Sequence, residues 1–415
     1  MKRKKINEVF TPRRQNVNHL MYIDRAQSEK HLYRSVIGSM HSFLSGESGS
    51  GKSWLYKKVF EEENINYLAI NAANASRKGS ITQELYEKCF EGGDAEKTGY
   101  KETKKAGISV VGTAELSHEA EYKVPVSDKL KLCYEKLYKQ SGKKTTTIVL
   151  DNIETLFDNE TLMGELSDIL ILLDDDDFAG FQVKFLLIAV PNNVLQYFSH
   201  AKNPTSVGNR IDELPRITGL SQRQVFDFVS RGFLKALQVN IPENFLKRIS
   251  RHIYTVTLGI PQRVHEYCEC LAYCIEDNGW NYNPDLLESA DLNWLQKGLR
   301  ECYNIVESHL NSDETTDGRR NQVIFALSRI STHQIDTQKI GVVISQDFPN
   351  SKPDSNSGIG QVLSHLCKGE KPILKKLSNS NFYVFTDPRY LMCIRLMLFI
   401  EPVSEKVKKR AFRLN

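Results

Sequence analysis

Apolar residues along this chain fall into two rhythms, and their order predicts a layered α/β fold. Short, nearly unbroken apolar runs recur in the first half. Lys144–Asp151 reads Lys-Thr-Thr-Thr-Ile-Val-Leu-Asp, and Val183–Val190 is interrupted only by Lys184. Runs of this kind are expected of central strands in a parallel sheet, covered on both faces. Ser39–Ser45 and Asn66–Asn71 are candidates for neighbouring strands. Between them lie segments with apolar residues at helical spacing: Ser53–Glu62, with Trp54, Leu55, Val59 and Phe60; Ile81–Phe90, behind a Ser80 cap; and Glu160–Leu173. Strands alternating with helices predict a three-layer α/β/α sandwich, with its ligand site at the carboxyl ends of the strands.

The second half reads differently. Ser221 caps a helix over Gln222–Leu237, Pro242 opens one ending near His252, and Val264–Ile275 forms a third. Trp280–His309 continues as a helical bridge. Asn321–Phe399 then has the order of a winged helix-turn-helix: helices over Gln322–Ile330, Thr337–Phe348 and Ile359–Lys368, then a strand pair Ile373–Leu377 and Phe382–Thr386 across the turn Ser378–Asn381. The expected division is a core over 1–218, with an insertion at about 92–130, a helical lid and bridge over 219–312, and a winged-helix domain with a basic tail over 313–415. The insertion has two readings, a surface elaboration or a subunit or ligand contact, because long connections in compact domains are often functional.

The first candidate chemistry is Gly46-Glu47-Ser48-Gly49-Ser50-Gly51-Lys52-Ser53, which fits G-x-x-x-x-G-K-[ST] between a candidate strand and a candidate helix. Glycines let successive backbone N–H groups curl around an anionic phosphate, and the helix start adds its positive dipole end. Lys52 is placed to reach the outer phosphates, the Ser53 hydroxyl to ligate Mg²⁺, and Trp54 to border the nucleotide. Asp151 ends a buried strand in an acid and can hold the Mg²⁺ hydration shell. ATP and Mg²⁺ are the implied cofactors.

The order of motifs over residues 15–310 resembles that of AAA+ ATPases, in the branch that holds origin-recognition-type initiators, transposition ATPases and STAND-like prokaryotic NTPases. Tyr22-Ile-Asp-Arg25 with Glu29 resembles the box before the P-loop, which implies a contact from Arg25 to the base. Ala189-Val-Pro-Asn192 resembles sensor 1, which gives Asn192 the role of orienting the attacking water. Ser206-Val-Gly-Asn-Arg210 lies where the family places an arginine finger, directed at a neighbouring subunit's nucleotide. Gly259-Ile-Pro-Gln-Arg263 resembles sensor 2. The resemblance therefore implies a homo-oligomer, ring or filament.

Two positions depart from the family's pattern. Asn152 stands where a catalytic Glu usually follows the Walker B Asp, and a neutral amide is no base, so Glu154 is the candidate substitute. Gln262 takes the usual sensor 2 position and Arg263 follows it, a rotation of about 100° on a helix.

Charge and composition refine the picture. Residues 313–415 carry 16 Lys and Arg against 10 Asp and Glu, which suits DNA without requiring it. On the third helix of that region Gln361, Ser364, His365 and Lys368 would face a groove, with Lys371, Lys375 and Lys376 toward phosphates; protein docking is the other reading. His265, Cys268, Cys270 and Cys274 cluster without finger-like spacing, so a buried lid helix is expected, not zinc. Asp174–Asp177 reads as a solvated turn, and the basic ends Lys2–Lys5 and Lys406–Arg413 as solvated tails. Eight cysteines without a framework, no secretory pattern behind the basic start and no long apolar run lead to the expectation of a cytoplasmic protein with no membrane contact. No nuclease, deaminase or protease motif is present, so a separate effector protein is expected. Antiviral defence or mobile-element biology is the expected context, with a nucleotide-gated DNA-binding protein as the alternative.

Overall fold

The computed structural model describes residues 2–90, 128–190, 198, 204–311, 318–330, 334–351, 357–402 and 404–410. The chain divides into two compact units, Arg25–Thr218 and the pair of segments Met1–Asp24 with Gly219–Asn415. The division differs from the expected core over 1–218, because the first 24 residues pack with the helical half.

The Arg25–Thr218 unit is built on five strands: β1 (His41–Ser45), β2 (Asn66–Asn71), β3 (Thr146–Asp151), β4 (Val183–Ala189) and β5 (Ile211–Glu213). They lie in the order β2-β3-β4-β1-β5, every pairing parallel. Period-two alternation sorts their side chains between two helical layers. Leu44, Val149, Leu186 and Ile188 pack against the helices Ala26–Ile37 and Lys52–Glu62. Phe43, Ile148, Leu150, Phe185 and Leu187 face the opposite layer, Ile81–Phe90, Lys129–Gln140 and Glu160–Ile171. This is the α/β/α sandwich that the apolar runs predict.

Polar groups finish the layers. Glu165 accepts from the N–H groups of Ile81 and Thr82 and the Ser80 hydroxyl, each at 2.8 Å, and so caps the next helix from outside it. The Lys184 ammonium donates to the carbonyls of Val36 and Gly38 and closes the end of Ala26–Ile37. The helix Lys129–Gln140 starts inside the range expected for the insertion, capped by Asp128, and residues 91–127 lie outside the described ones.

The other unit shares one apolar core from Ile6 to Val407. Phe10 packs against Phe228 and Phe233, with ring centroids 6.0 and 5.2 Å away. Arg3 stacks on Trp280 at 4.1 Å and donates to the Leu237 carbonyl. The basic start is therefore anchored, contrary to the solvated tail expected from its charge. At the other end Val407–Lys409 pairs antiparallel with Leu398–Ile400, so the tail expected over Lys406–Arg413 is anchored there, while its residues 411–413 lie outside the described ones. The helix expected over Gln222–Leu237 is α-helical to Val229 and widens into a π-helix over Ser230–Ala236. The widened turn holds Gly232, where a Cβ would come within 2.7 Å of the Phe10 ring. Cys268, Cys270 and Cys274 are buried in the helix Pro261–Asp277. The last third follows the predicted order: helices Arg319–Arg329, Thr337–Asp347 and Ser357–His365, the hairpin β6 (Leu374–Lys376) with β7 (Tyr383–Phe385), then the helix Pro388–Met397.

Each unit buries a neutral histidine. In the sheet unit, His41 Nε2 donates to the Leu170 carbonyl and its Nδ1 accepts from the Phe185 N–H, and burial pulls its pKa down to about 4. In the helical unit, His265 Nδ1 accepts from the Thr11 N–H, and burial pulls its pKa down to about 3. Native protein binds fewer protons than unfolded chain below the ordinary histidine pKa, so stability is full above about pH 6.5 and falls as pH drops toward 4. Urea-unfolding curves between pH 7.5 and 4.5 should show the midpoint decline, and His41→Gln with His265→Gln should flatten that dependence. A second expected outcome concerns Gly259, at φ +66°, where a Cβ would lie 2.2 Å from the Leu220 carbonyl oxygen. Gly259→Ala should cost at least about 1–3 kcal/mol in the same assay.

Candidate nucleotide site

The site begins where β1 ends. Gly46 forms a parallel bridge with Ile217, the Ile217 N–H donating to the Ser45 carbonyl at 2.8 Å. A Cβ on Gly46 would stand 2.6 Å from the Ile217 carbonyl oxygen and 2.8 Å from Ser50 Oγ, so only glycine fits. Gly49 and Gly51 have φ of +79° and +90°, the left-handed backbone that turns successive amides inward. No side chain caps the helix that starts at Lys52, which leaves its first amides for an anion. Ser50 is fully buried and its hydroxyl has no hydrogen-bond partner.

Lys52 folds over this loop, its ammonium donating to the carbonyls of Gly46 at 2.7 Å and Glu47 at 3.1 Å. Burial lowers its pKa; the charges of Asp151, Glu154 and Glu47 oppose that, and Arg216 adds to it. Ser53 Oγ donates to Asp151 Oδ2 at 3.3 Å, and Asp151 Oδ1 accepts from the Asn152 N–H at 2.9 Å. One hydroxyl and one anchored carboxylate, beside amides that bind phosphate, suit Mg²⁺, which takes one or two carboxylates and completes its shell with phosphate and water.

Immediately after Asp151 the chain turns sharply. Asn152 is left-handed, at φ 62° and ψ 42°, and Ile153–Leu156 is a 3₁₀ turn. That turn carries Glu154 back toward the loop. Its Oε2 is buried without a hydrogen-bond partner, and its charge is felt at Lys52. An unpaired buried carboxylate oxygen calls for an explanation, and a water or ligand at the site would supply one.

The other candidates fall in three places. Arg25 lies at the edge of the sheet unit, its N–H donating to Glu29 Oε1 at 2.9 Å and its guanidinium to the Thr218 carbonyl at 3.3 Å. Arg210 precedes β5, beside His41 at the amino end of β1, roughly 17 Å of strand from the P-loop. There it pairs with Asp174 at 2.8 Å and donates to Ser206. Arg263 belongs to the helical unit, where it makes two bonds to the Glu266 carboxylate at 2.9 and 2.8 Å, and Gln262 donates to the same group. Asn192 lies outside the described residues.

One residue at the loop carries no motif signal. Arg216, directly before the Ile217 that rests on Gly46, donates to the Glu47 carboxylate. Among the described residues no group of three or more His, Cys, Asp or Glu is arranged to hold a metal, and no helix is long and apolar enough to cross a membrane.

Parallel sheet, glycine loop, part-buried lysine and Ser–Asp pair together define the P-loop nucleotide-binding class. Residues 37–198 match the family described as AAA domain, and the parallel sheet with its glycine loop is a P-loop NTPase fold that resembles AAA+ ATPases. No curated protein matches the sequence. Solved structures that align along the chain include Cdc6p from Pyrobaculum aerophilum, at 15% identity over 94% of this chain and 97% of that one, with a TM-score of 0.43. The Aeropyrum pernix ORC2 protein, in its ADPNP-ADP complexes, aligns at 16% identity over 90% and 92%, with a TM-score of 0.48. The Walker-type ATPase paby2304 of Pyrococcus abyssi aligns at 15% over 90% and 96%, with a TM-score of 0.47. Likenesses of this size do not bear on what this chain does.

If Ser53 and Asp151 hold Mg²⁺, nucleotide affinity depends on the metal through them. Titration calorimetry should show ATP binding more tightly with Mg²⁺ than with EDTA, and Asp151→Asn should remove about tenfold of that difference while binding in EDTA persists.

Proposed function

We propose that this protein is a Mg-ATP-dependent switch that assembles into a ring or filament and hydrolyses ATP slowly, controlling a separate effector protein or DNA. The observation that carries this reading is the joined arrangement of Lys52, Ser53 and Asp151 at the carboxyl edge of a parallel sheet. Lys52 and the loop amides take the phosphates, with Ser53 and Asp151 on the metal. Trp54, half-buried in the first helical turn, borders the nucleotide, and Arg25 is the candidate for the base. Glu154 serves as the base for water, supported by its buried unpaired oxygen, and Asn192 orients that water. Arg210 acts in a neighbouring subunit, because it lies at the opposite end of its own sheet from its own P-loop. Arg263 senses nucleotide from the lid. The protein is cytoplasmic, and antiviral defence or mobile-element biology is the context that suits a regulator with no effector motif of its own.

The region 313–415 reads as a winged helix. Gln361, Ser364, His365 and Lys368 are exposed in and just after the third helix. Its lysines and hairpin make DNA the first candidate and protein docking the second. A second reading, a nucleotide-gated DNA-binding protein with little turnover, is favoured by one observation: Asn152, a neutral amide, follows Asp151.

The deciding experiment measures mass and phosphate release together, with and without Mg-ATP. ATP should drive assembly in the wild type and not in Lys52→Ala, while Glu154→Gln should assemble with phosphate release reduced by about a hundredfold or more. A wild type that binds ATP yet stays monomeric and releases no phosphate would instead establish the gated binding protein.

A further inference from the structure

Among the described residues, the Glu47–Arg216 pair is a charged contact at the loop that the chemistry above does not use. Glu47 is a poor neighbour for a polyphosphate, since its carboxylate stands within the segment whose amides are to receive the anion. Arg216 neutralises it. The pair is exposed, with 43% of the Arg216 side chain and 37% of the Glu47 side chain open to solvent. Exposed ion pairs hold weakly and exchange readily. Arg216 is also fixed close by its backbone, because the next residue, Ile217, bridges Gly46 and its carbonyl oxygen fills the space where a Gly46 side chain would be. Its charge is felt at Lys52, whose ammonium reaches the carbonyl of the same Glu47.

We propose that Arg216 is a second cationic ligand of the nucleotide phosphates, held ready by Glu47 and released to the polyphosphate when it enters the loop. This rests on the nucleotide reading above and adds a residue to it. A guanidinium suits the exchange, because its planar fork makes paired bonds to carboxylate and phosphate oxygens alike. In the free protein Glu47 Oε1 accepts from one arm of the fork, Arg216 Nη2, and keeps it oriented. In the bound protein the phosphate, which carries more charge, takes that place and Glu47 turns to solvent.

The two partners then have opposite effects, which separates this role from a strut that merely shapes the loop. With Mg-ATP as the titrant at low ionic strength, Arg216→Ala should weaken binding about tenfold, and Arg216→Lys should lose less. Glu47→Gln should tighten binding several-fold, since it frees the guanidinium and removes a repulsive charge. Thermal unfolding of the apo proteins checks that each variant folds. If Glu47→Gln and Arg216→Ala weaken binding alike, or Arg216→Ala leaves it unchanged, Arg216 is no phosphate ligand and the proposal falls alone. If the wild type binds Mg-ATP no better than Lys52→Ala, the nucleotide reading falls and takes this proposal with it.

Discussion

The carboxyl edge of the sheet depends on one close approach, the Ile217 carbonyl oxygen against Gly46. No side chain fits between them, so the segment that follows β5 lies directly on the first residue of the phosphate loop. That contact ties together segments far apart in sequence. It sets the floor on which Ser50 is buried, and it brings Arg216 to Glu47. The loop above it can then curl only through Gly49 and Gly51, whose left-handed backbones aim the amides inward. Lys52 crosses over the result and loses solvent in doing so, which is why burial leads the causes of its lowered pKa. The curled loop and the part-buried cation above it both follow from that one packing constraint.

Interior strands and the phosphate motif were readable in the sequence because each repeats a local rule. β3 and β4 are apolar on both faces, and helices are marked by apolar spacing and by caps such as Asp128 and Ser221. Three features were not readable, for physical reasons. β5 is three residues long, Ile211–Glu213, too short to show alternation. The N-terminal segment looked like a charged tail because its partners, Phe228, Phe233, Trp280 and the Leu237 carbonyl, lie more than two hundred residues away. The Glu47–Arg216 pair spans 169 residues and belongs to no motif. Lys52, Ser53 and Asp151 could be named from spacing alone, whereas what surrounds them is set by tertiary contact.

The segment after Asp151 shows how a departure from a family pattern can follow from the backbone. Asn152 adopts the left-handed conformation, which asparagine tolerates and glutamate does so at a cost of roughly 1–2 kcal/mol. A glutamate at 152 would therefore strain the turn. The 3₁₀ turn that follows moves the next carboxylate to 154 and buries one of its oxygens without a partner. Leaving such an oxygen unpaired costs about 1–3 kcal/mol. A left-handed turn at Asn152 and a desolvated oxygen at Glu154 thus lie within three residues of each other, next to Asp151.

Charge balance says what a ligand of this site must bring. Asp151, Glu154 and Glu47 set three negative charges against the two positive ones of Lys52 and Arg216. A bare triphosphate would add several more negative charges to a site already short of positive ones. A divalent cation bound by Ser53 and Asp151 together with the phosphates would offset two of those charges. On the proposed reading, metal and nucleotide would be coupled ligands of this site, each raising the affinity for the other by the same factor.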